Sequence, residues 1–279
     1  MRALAELVRA PAALTVPGDA LAGAAAAGWP FGRRTLPLSV ASVLLYWAGM
    51  ALNDYADRAV DATERPERPI PSGRVSPAAA LGLAIGLTGG GIGVAAVTGG
   101  VRALRVAVPL AATVWAYDLL LKATSWGPVT MAAARALDVL LGAGGARVAV
   151  SPALIVGVHT LAVTVVSRSE VDGAKPVVPA AALTATVGAG LATCLGGTAN
   201  PVTTSAFAGT YAVTTGRALC DAVRDPSAPR VRHAVGTGIS GMIPLQAGLI
   251  VRTGARRAAL GVAAAFPLAR LLGRKVSPT

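Results

Sequence analysis

The chain is written in long apolar blocks separated by short polar turns. The blocks cover residues 10–28, 38–56, 77–98, 103–121, 127–146, 150–167, 176–196, 201–221, 233–251 and 256–272. Each comes close to the roughly 20 residues that a helix needs to cross hydrocarbon, and the turns hold most of the Arg. The pattern predicts an all-α, polytopic membrane bundle of nine or ten transmembrane helices, built as one domain over residues 1–279. Two places leave the number open. The first block contains Pro17 and Gly18, and either of the last two reads equally as a short or re-entrant piece. A closed β-barrel needs alternating segments of about 10 residues, whereas these blocks are continuous and rich in Ala, Leu, Val and Gly.

Composition points the same way. With 54% hydrophobic and 14% charged residues and a mean hydropathy of +0.62, the chain carries more apolar surface than a soluble domain of 279 residues has to bury. The many Gly and Ala suit close approach between membrane helices, and the Gly89 to Gly91 run is read as packing. A net charge of +12 is spread over many loops, which fits orientation in a bilayer and not nucleic-acid binding. Cys194 and Cys220 lie in apolar blocks without metal-ligand spacing and are read as packing residues. No cleavable signal peptide is expected, because the first block lacks a small-residue cleavage site.

Parity then sorts the loops. With the N-terminus inside, the connections 57–76, 122–126, 168–175 and 222–232 share the cytoplasmic side and hold more Lys and Arg than the opposite set. The same four connections carry the acidic motifs. This predicts a plasma-membrane protein of a bacterium, with its site facing the cytoplasm.

The first motif is Asn53-Asp54-Tyr55-Ala56-Asp57-Arg58-Ala59-Val60-Asp61, at the end of the second block. Asn53, Asp57 and Asp61 recur at i, i+4 and i+8 and share a helical face. Carboxylates so spaced repel one another, and beside a membrane their desolvation is costly unless a cation neutralises them. Mg2+, a hard ion that takes carboxylate oxygens and bridges to phosphates, is the natural partner. A Pro-stiffened loop follows, from Ala62 to Ser76, whose Arg residues either grip a diphosphate or simply satisfy the positive-inside rule; Arg68, flanked by Pro66 and Pro69, is favoured for the first role.

These residues resemble the UbiA superfamily of intramembrane prenyltransferases, whose first motif is NDxxDxxxD followed by an RPxxSGxxS loop, here Arg68 to Ser76. Arg9-Ala10-Pro11 and the Thr15 to Gly18 segment fit as well, and Tyr117 to Lys122 with Arg135 to Gly142 is most similar to the EboC-like branch. The resemblance implies a UbiA-like fold and a Mg2+-dependent transferase. In that reading an isoprenyl diphosphate ionises in an apolar chamber and the prenyl group passes to an acceptor of unknown identity. It also implies that Lys122 is a diphosphate ligand, although Lys122 and Asp118, at i and i+4, read equally as a helix pair. The family's second acidic motif, DxxxD, is irregular here. In Ser167-Arg168-Ser169-Glu170-Val171-Asp172 the two carboxylates are two residues apart and cannot share a regular helical face.

The resulting expectations are Asp57, Asp61 and Lys122 as catalytic residues; Asn53, Arg68, Lys122, Arg168 and Tyr117 as substrate-binding residues; and Asn53, Asp57, Asp61, Glu170 and Asp172 as Mg2+ ligands. Arg135 and Asp138, at i and i+3, are expected to neutralise each other within the bundle. Asp19 and Asp221 have no assigned partner. His233 reads as an interfacial residue, and Trp47, Tyr55, Trp115, Tyr117, Trp126 and Tyr211 either line a pocket or sit in the interfacial belt. Two competing functions share the pattern: a UbiA-type terpene cyclase, in which the cation folds back on its own chain, and a non-catalytic lipid-binding or transport protein.

Overall fold

A computed structural model describes residues 6–7, 16–195 and 199–273, with 265–273 as backbone only. The residues Arg9 to Pro11 and Thr15, read above as fitting the family, lie outside this set. Among the described residues all regular structure is helical: α1 (Val16–Ala26), α2 (Thr35–Glu64), α3 (Pro77–Ala116), α4 (Gly127–Gly142), α5 (Val150–Ser167), α6 (Val177–Cys194), α7 (Pro201–Arg224), α8 (Ala228–Val251) and α9 (Arg256–Gly273). Five helical stretches among the described residues are long and apolar enough to cross a membrane on their own: Thr35–Glu64, Pro77–Leu121, Arg147–Ser167, Val177–Cys194 and Ala228–Val251.

The helices start where local chemistry favours it. At α3 the Ser76 side chain accepts a hydrogen bond from the Ala79 N–H at 3.1 Å, with Pro77 in the first turn, where its missing N–H costs nothing. Inside α3, Gly100 has φ 61° and ψ −152°, outside any helical region. The Trp115 indole N–H nevertheless donates to the Thr88 hydroxyl at 3.1 Å, across 27 residues. A straight helix would hold those residues ~40 Å apart. The chain therefore doubles back at Gly100, and α3 is a hairpin of two limbs, matching the separate blocks 77–98 and 103–121.

Packing sorts the helices into an outer and an inner set. In the most apolar stretch of Pro77–Leu121 only 22% of residues are buried, against 78% for that of α8, so this part of the hairpin faces lipid while α8 runs through the interior; the second limb packs inward through Ala103, Ala107 and Leu110. Small residues bring α1 onto α4. A Cβ at Gly142 would overlap the Ala20 backbone, and one at Gly23 would overlap the Val139 carbonyl.

A polar key sits inside this apolar contact. Arg135 on α4 pairs through Nε with Asp19 Oδ2 at 2.9 Å, and Gln246 Nε2 on α8 donates to Asp19 Oδ1 at 2.7 Å. Asp19 thus has two partners that its sequence position did not reveal. Arg135 turns to α1 and not to Asp138 as its close ion pair; Asp138 is buried on α4 facing Ser42 of α2. A second buried set joins three helices: the Tyr211 hydroxyl and His159 Nδ1 are 2.8 Å apart, and His159 Nε2 lies 3.1 Å from the Gly238 carbonyl. Tyr211 is fully buried and so belongs to the core, not to an interfacial belt.

Candidate functional site

The polar loops predicted to share one side do meet at one end of the bundle. Lys122 pairs with Asp57, joining the third connection to α2. Arg168 NH1 donates to the Thr124 carbonyl and NH2 to that of Ala123 at 3.4 Å. Arg232 NH1 donates to the Glu170 carbonyl at 2.8 Å, and the Ala174 N–H to that of Pro226 at 2.9 Å. Four connections distant in sequence form one continuous polar arc.

Within that arc the acidic motif divides in two. A residue advances about 100° around a helix, so each i, i+4 step drifts by about 40°, and Asn53 and Asp61 end roughly 80° apart. Asn53 and Asp57 face the end of α3, where Asn53 Nδ2 donates to Asp118 Oδ1 at 3.1 Å and Asp57 meets Lys122. Asp61, with Asp54 beside it on the next face, instead meets the loop: Arg68 NH1 lies 2.6 Å from Asp61 Oδ2 and 3.4 Å from Asp54 Oδ1. Asp54, Asp61 and Asp118 are all buried.

The two pairs toward α3 are in strict register, each joining residues 65 apart. That register exists because the second limb of α3 runs parallel to α2 after the reversal at Gly100. Its last turn is a π-turn, Tyr117–Leu121, closed by the Lys122 N–H on the Tyr117 carbonyl at 2.9 Å; such single wide turns mark functional sites with some frequency. Asp118 and Lys122 are thus not partners of each other, as an i, i+4 helix pair would be. Each reaches across to α2.

The loop after α2 is shaped by its own bonds. The Ser72 hydroxyl donates to the Arg68 carbonyl at 2.6 Å, and Arg74 donates through Nε to Ser72 Oγ at 3.0 Å and through NH2 to the Glu67 carbonyl at 2.6 Å. Ile70 and Val75 are buried against Leu52, Ala80 and Ala84, which pins the loop on α2 and α3 and places Arg68 over the carboxylates.

The remaining expected residues lie further along the arc. Tyr117 is half-buried in the π-turn. Glu170 is half-buried, and burial holds its carboxyl above the usual glutamate value, with Arg232 partly offsetting the effect. Asp172 is exposed. Among the described residues, no three carboxylate, His or Cys side chains gather closely enough to ligate one ion, so the five expected Mg2+ ligands occupy two places, α2 and the loop after α5. The donor chemistry still suits a hard divalent cation. Asn53, Asp57 and Asp61 set an amide and two carboxylates one turn apart along α2, and carboxylate and carbonyl oxygens are the donors such an ion takes. Asp54 and Asp118 were not anticipated. The signals were there: Asp54 precedes Asp61 by two turns, and Asp118 precedes Lys122 by one.

Known proteins share both the sequence and the shape. Residues 14–227 match the UbiA prenyltransferase family. Over 102 residues the chain is 46% identical to a digeranylgeranylglyceryl phosphate synthase of Methanopyrus kandleri, a stretch covering 35% of this chain and 36% of that one. Over 115 residues it is 34% identical to the synthase of the same name from Metallosphaera sedula, covering 41% and 40%. The aligned stretches thus span well under half the length of these relatives. A UbiA homologue from Archaeoglobus fulgidus, solved with GPP and Mg2+, superposes with a TM-score of 0.70 over 94% of this chain and 99% of that one at 13% identity. A UbiA homologue from Aeropyrum pernix K1 superposes with a TM-score of 0.64 at 20% identity over 85% and 96%. The fold is theirs, and with the match running through most of its length, the chain belongs to the UbiA prenyltransferase family.

Proposed function

We propose that this protein is a Mg2+-dependent intramembrane prenyltransferase, which ionises an isoprenyl diphosphate and passes the prenyl group to an acceptor. The observation that carries the reading is the in-register pairing of Asn53 with Asp118 and of Asp57 with Lys122, beside Arg68, at one polar end of an apolar bundle. Asn53, Asp57 and Asp61, with Glu170 and Asp172 across the arc, are the residues that would hold the metal. Magnesium, when bound, supplies the charge that neutralises the diphosphate leaving group.

The chain's own groups do the rest. Lys122 and Arg68 are cations already held at the site by acids, so a diphosphate meets fixed donors and not flexible arms. Arg68 engages Asp54 and Asp61 through NH1 alone, which leaves the rest of its fork to turn toward a phosphate. Arg168 and Tyr117 border the same arc and complete the substrate-binding set. Leu45, Leu110 and Ala111, two turns before Asn53 and Asp118, are buried in an apolar cluster, surroundings that would keep water from an allylic cation formed beside them.

The acceptor follows from the relatives. Their name describes a glyceryl phosphate carrying two geranylgeranyl groups, so the first acceptor class to try is a prenylated glyceryl phosphate. Those relatives are archaeal, and they lend no support to a bacterial host; the proposed setting is the cell membrane, with the polar arc on the cytoplasmic side favoured by the Lys and Arg distribution. The test is to incubate purified protein with Mg2+ and labelled geranyl, farnesyl or geranylgeranyl diphosphate, with and without geranylgeranylglyceryl phosphate, and to identify the organic product. An acceptor-dependent adduct supports transfer. A cyclic hydrocarbon or alcohol formed without acceptor replaces it by cyclisation, and no turnover with any donor or acceptor refutes both.

A further inference from the structure

Asp118 is a buried carboxylate that no sequence motif assigned, and its surroundings are built for it. Gly49 on α2 faces it; a Cβ there would stand 2.9 Å from Val114 Cγ1 and 3.7 Å from Asp118 Oδ2. The bare glycine lets the second limb of α3 approach α2 closely enough for Asp118 to reach Asn53, one turn further along. The π-turn beginning at Tyr117 then carries Lys122 to Asp57 without pulling Asp118 away.

The chemistry of the Asn53 contact has a direction. A side-chain amide has a donor end and an acceptor end of nearly equal size, and left alone it can present either. Here the NH2 end donates to Asp118 Oδ1, which commits the carbonyl oxygen Oδ1 to the other side. An amide presenting Oδ1 is a cation ligand, and one presenting NH2 repels a cation.

We infer that Asp118 is the positioning residue of the metal site, fixing the Asn53 amide so that Oδ1 faces the cation, with Gly49 and the π-turn as the structural means. The inference rests on the metal reading proposed above. Asp118 acts through Asn53 and touches neither metal nor substrate. Such outer-shell partners typically carry about 10- to 100-fold in metal affinity.

The experiment uses the full chain in detergent, Mn2+ in place of Mg2+, and inorganic diphosphate, with free Mn2+ counted by electron paramagnetic resonance. Three proteins are compared: the wild type, Asp118→Leu, and the swap Asn53→Asp with Asp118→Asn. In the swap the bond is rebuilt with its polarity reversed, since the new amide donates to the new carboxylate. Thermal midpoints in chelator report folding separately. The expected result is Mn2+ affinity about 10- to 100-fold weaker in Asp118→Leu, and restored in the swap to the wild-type level or tighter. Equal affinity in Asp118→Leu and wild type overturns the positioning role while leaving the metal site intact. A loss that the swap does not restore overturns it as well, whether the cause is direct ligation by Asp118 or a folding defect seen in chelator. A wild type that takes up no Mn2+ overturns the metal reading itself, and this inference with it.

Discussion

At the scale of single residues, the site is a set of charges that hold one another. Asp57 shares Lys122, and Arg68 serves Asp54 and Asp61 together. Asp57→Ala removes a carboxylate proposed to hold the metal and takes the partner from Lys122, so kcat/KM for prenyl transfer is expected to fall at least about a hundredfold, while the variant still inserts and melts as the wild type does in detergent. Arg68→Met acts differently. It takes from the buried Asp61 carboxylate the guanidinium 2.6 Å away, and a loss of about 3 kcal/mol in unfolding stability is expected, partly recovered when Asp61→Asn is added. Asp54 and Asp118 are the members of this network that the sequence reading passed over. Asn53, Asp57, Asp61, Arg68 and Lys122 stand in motifs whose spacing is visible along the chain. Asp54 stands in the same acidic motif and Asp118 one turn before Lys122, but their contacts are with side chains 14 and 65 residues away, and no local period records such pairs. The Asp19 contacts with Arg135 and Gln246 were hidden for the same reason, the second spanning 227 residues.

At the scale of elements, the site depends on two close approaches. Among the described residues the apolar blocks forecast the helices α1 to α9, because a bilayer demands a fixed length of apolar chain and that length is written directly in the sequence. What they do not encode is the relative rotation and height of neighbours, which glycines set here. Gly49 admits Val114 and Asp118 against α2, and Gly142 seats Ala20. Gly49→Ala would push the second limb of α3 outward and break the register of both pairs. Its expected signature is a kcat/KM reduced about tenfold, with a stability loss of about 1 kcal/mol because the added Cβ meets Val114. Gly142→Leu would overpack the contact of α1 with α4, far from the polar arc, and its expected cost is about 2 kcal/mol in stability with KM for the prenyl donor unchanged.

At the scale of the whole molecule, one polar end crowns an apolar bundle. The arrangement follows from parity, since alternate connections must return to the same side, and the side chains of Asp57, Arg168 and Arg232 show the connections in contact there. What this end does with a prenyl diphosphate is the central claim. It is tested most directly by measuring release of labelled inorganic diphosphate from geranylgeranyl diphosphate by the purified protein, with geranylgeranylglyceryl phosphate present, as Mg2+ is titrated in and then removed with chelator. The account predicts release that requires Mg2+, stops on chelation, returns on readdition and is lost in Asp57→Ala. Release that persists in chelator, or that Asp57→Ala supports at the wild-type rate, would contradict it.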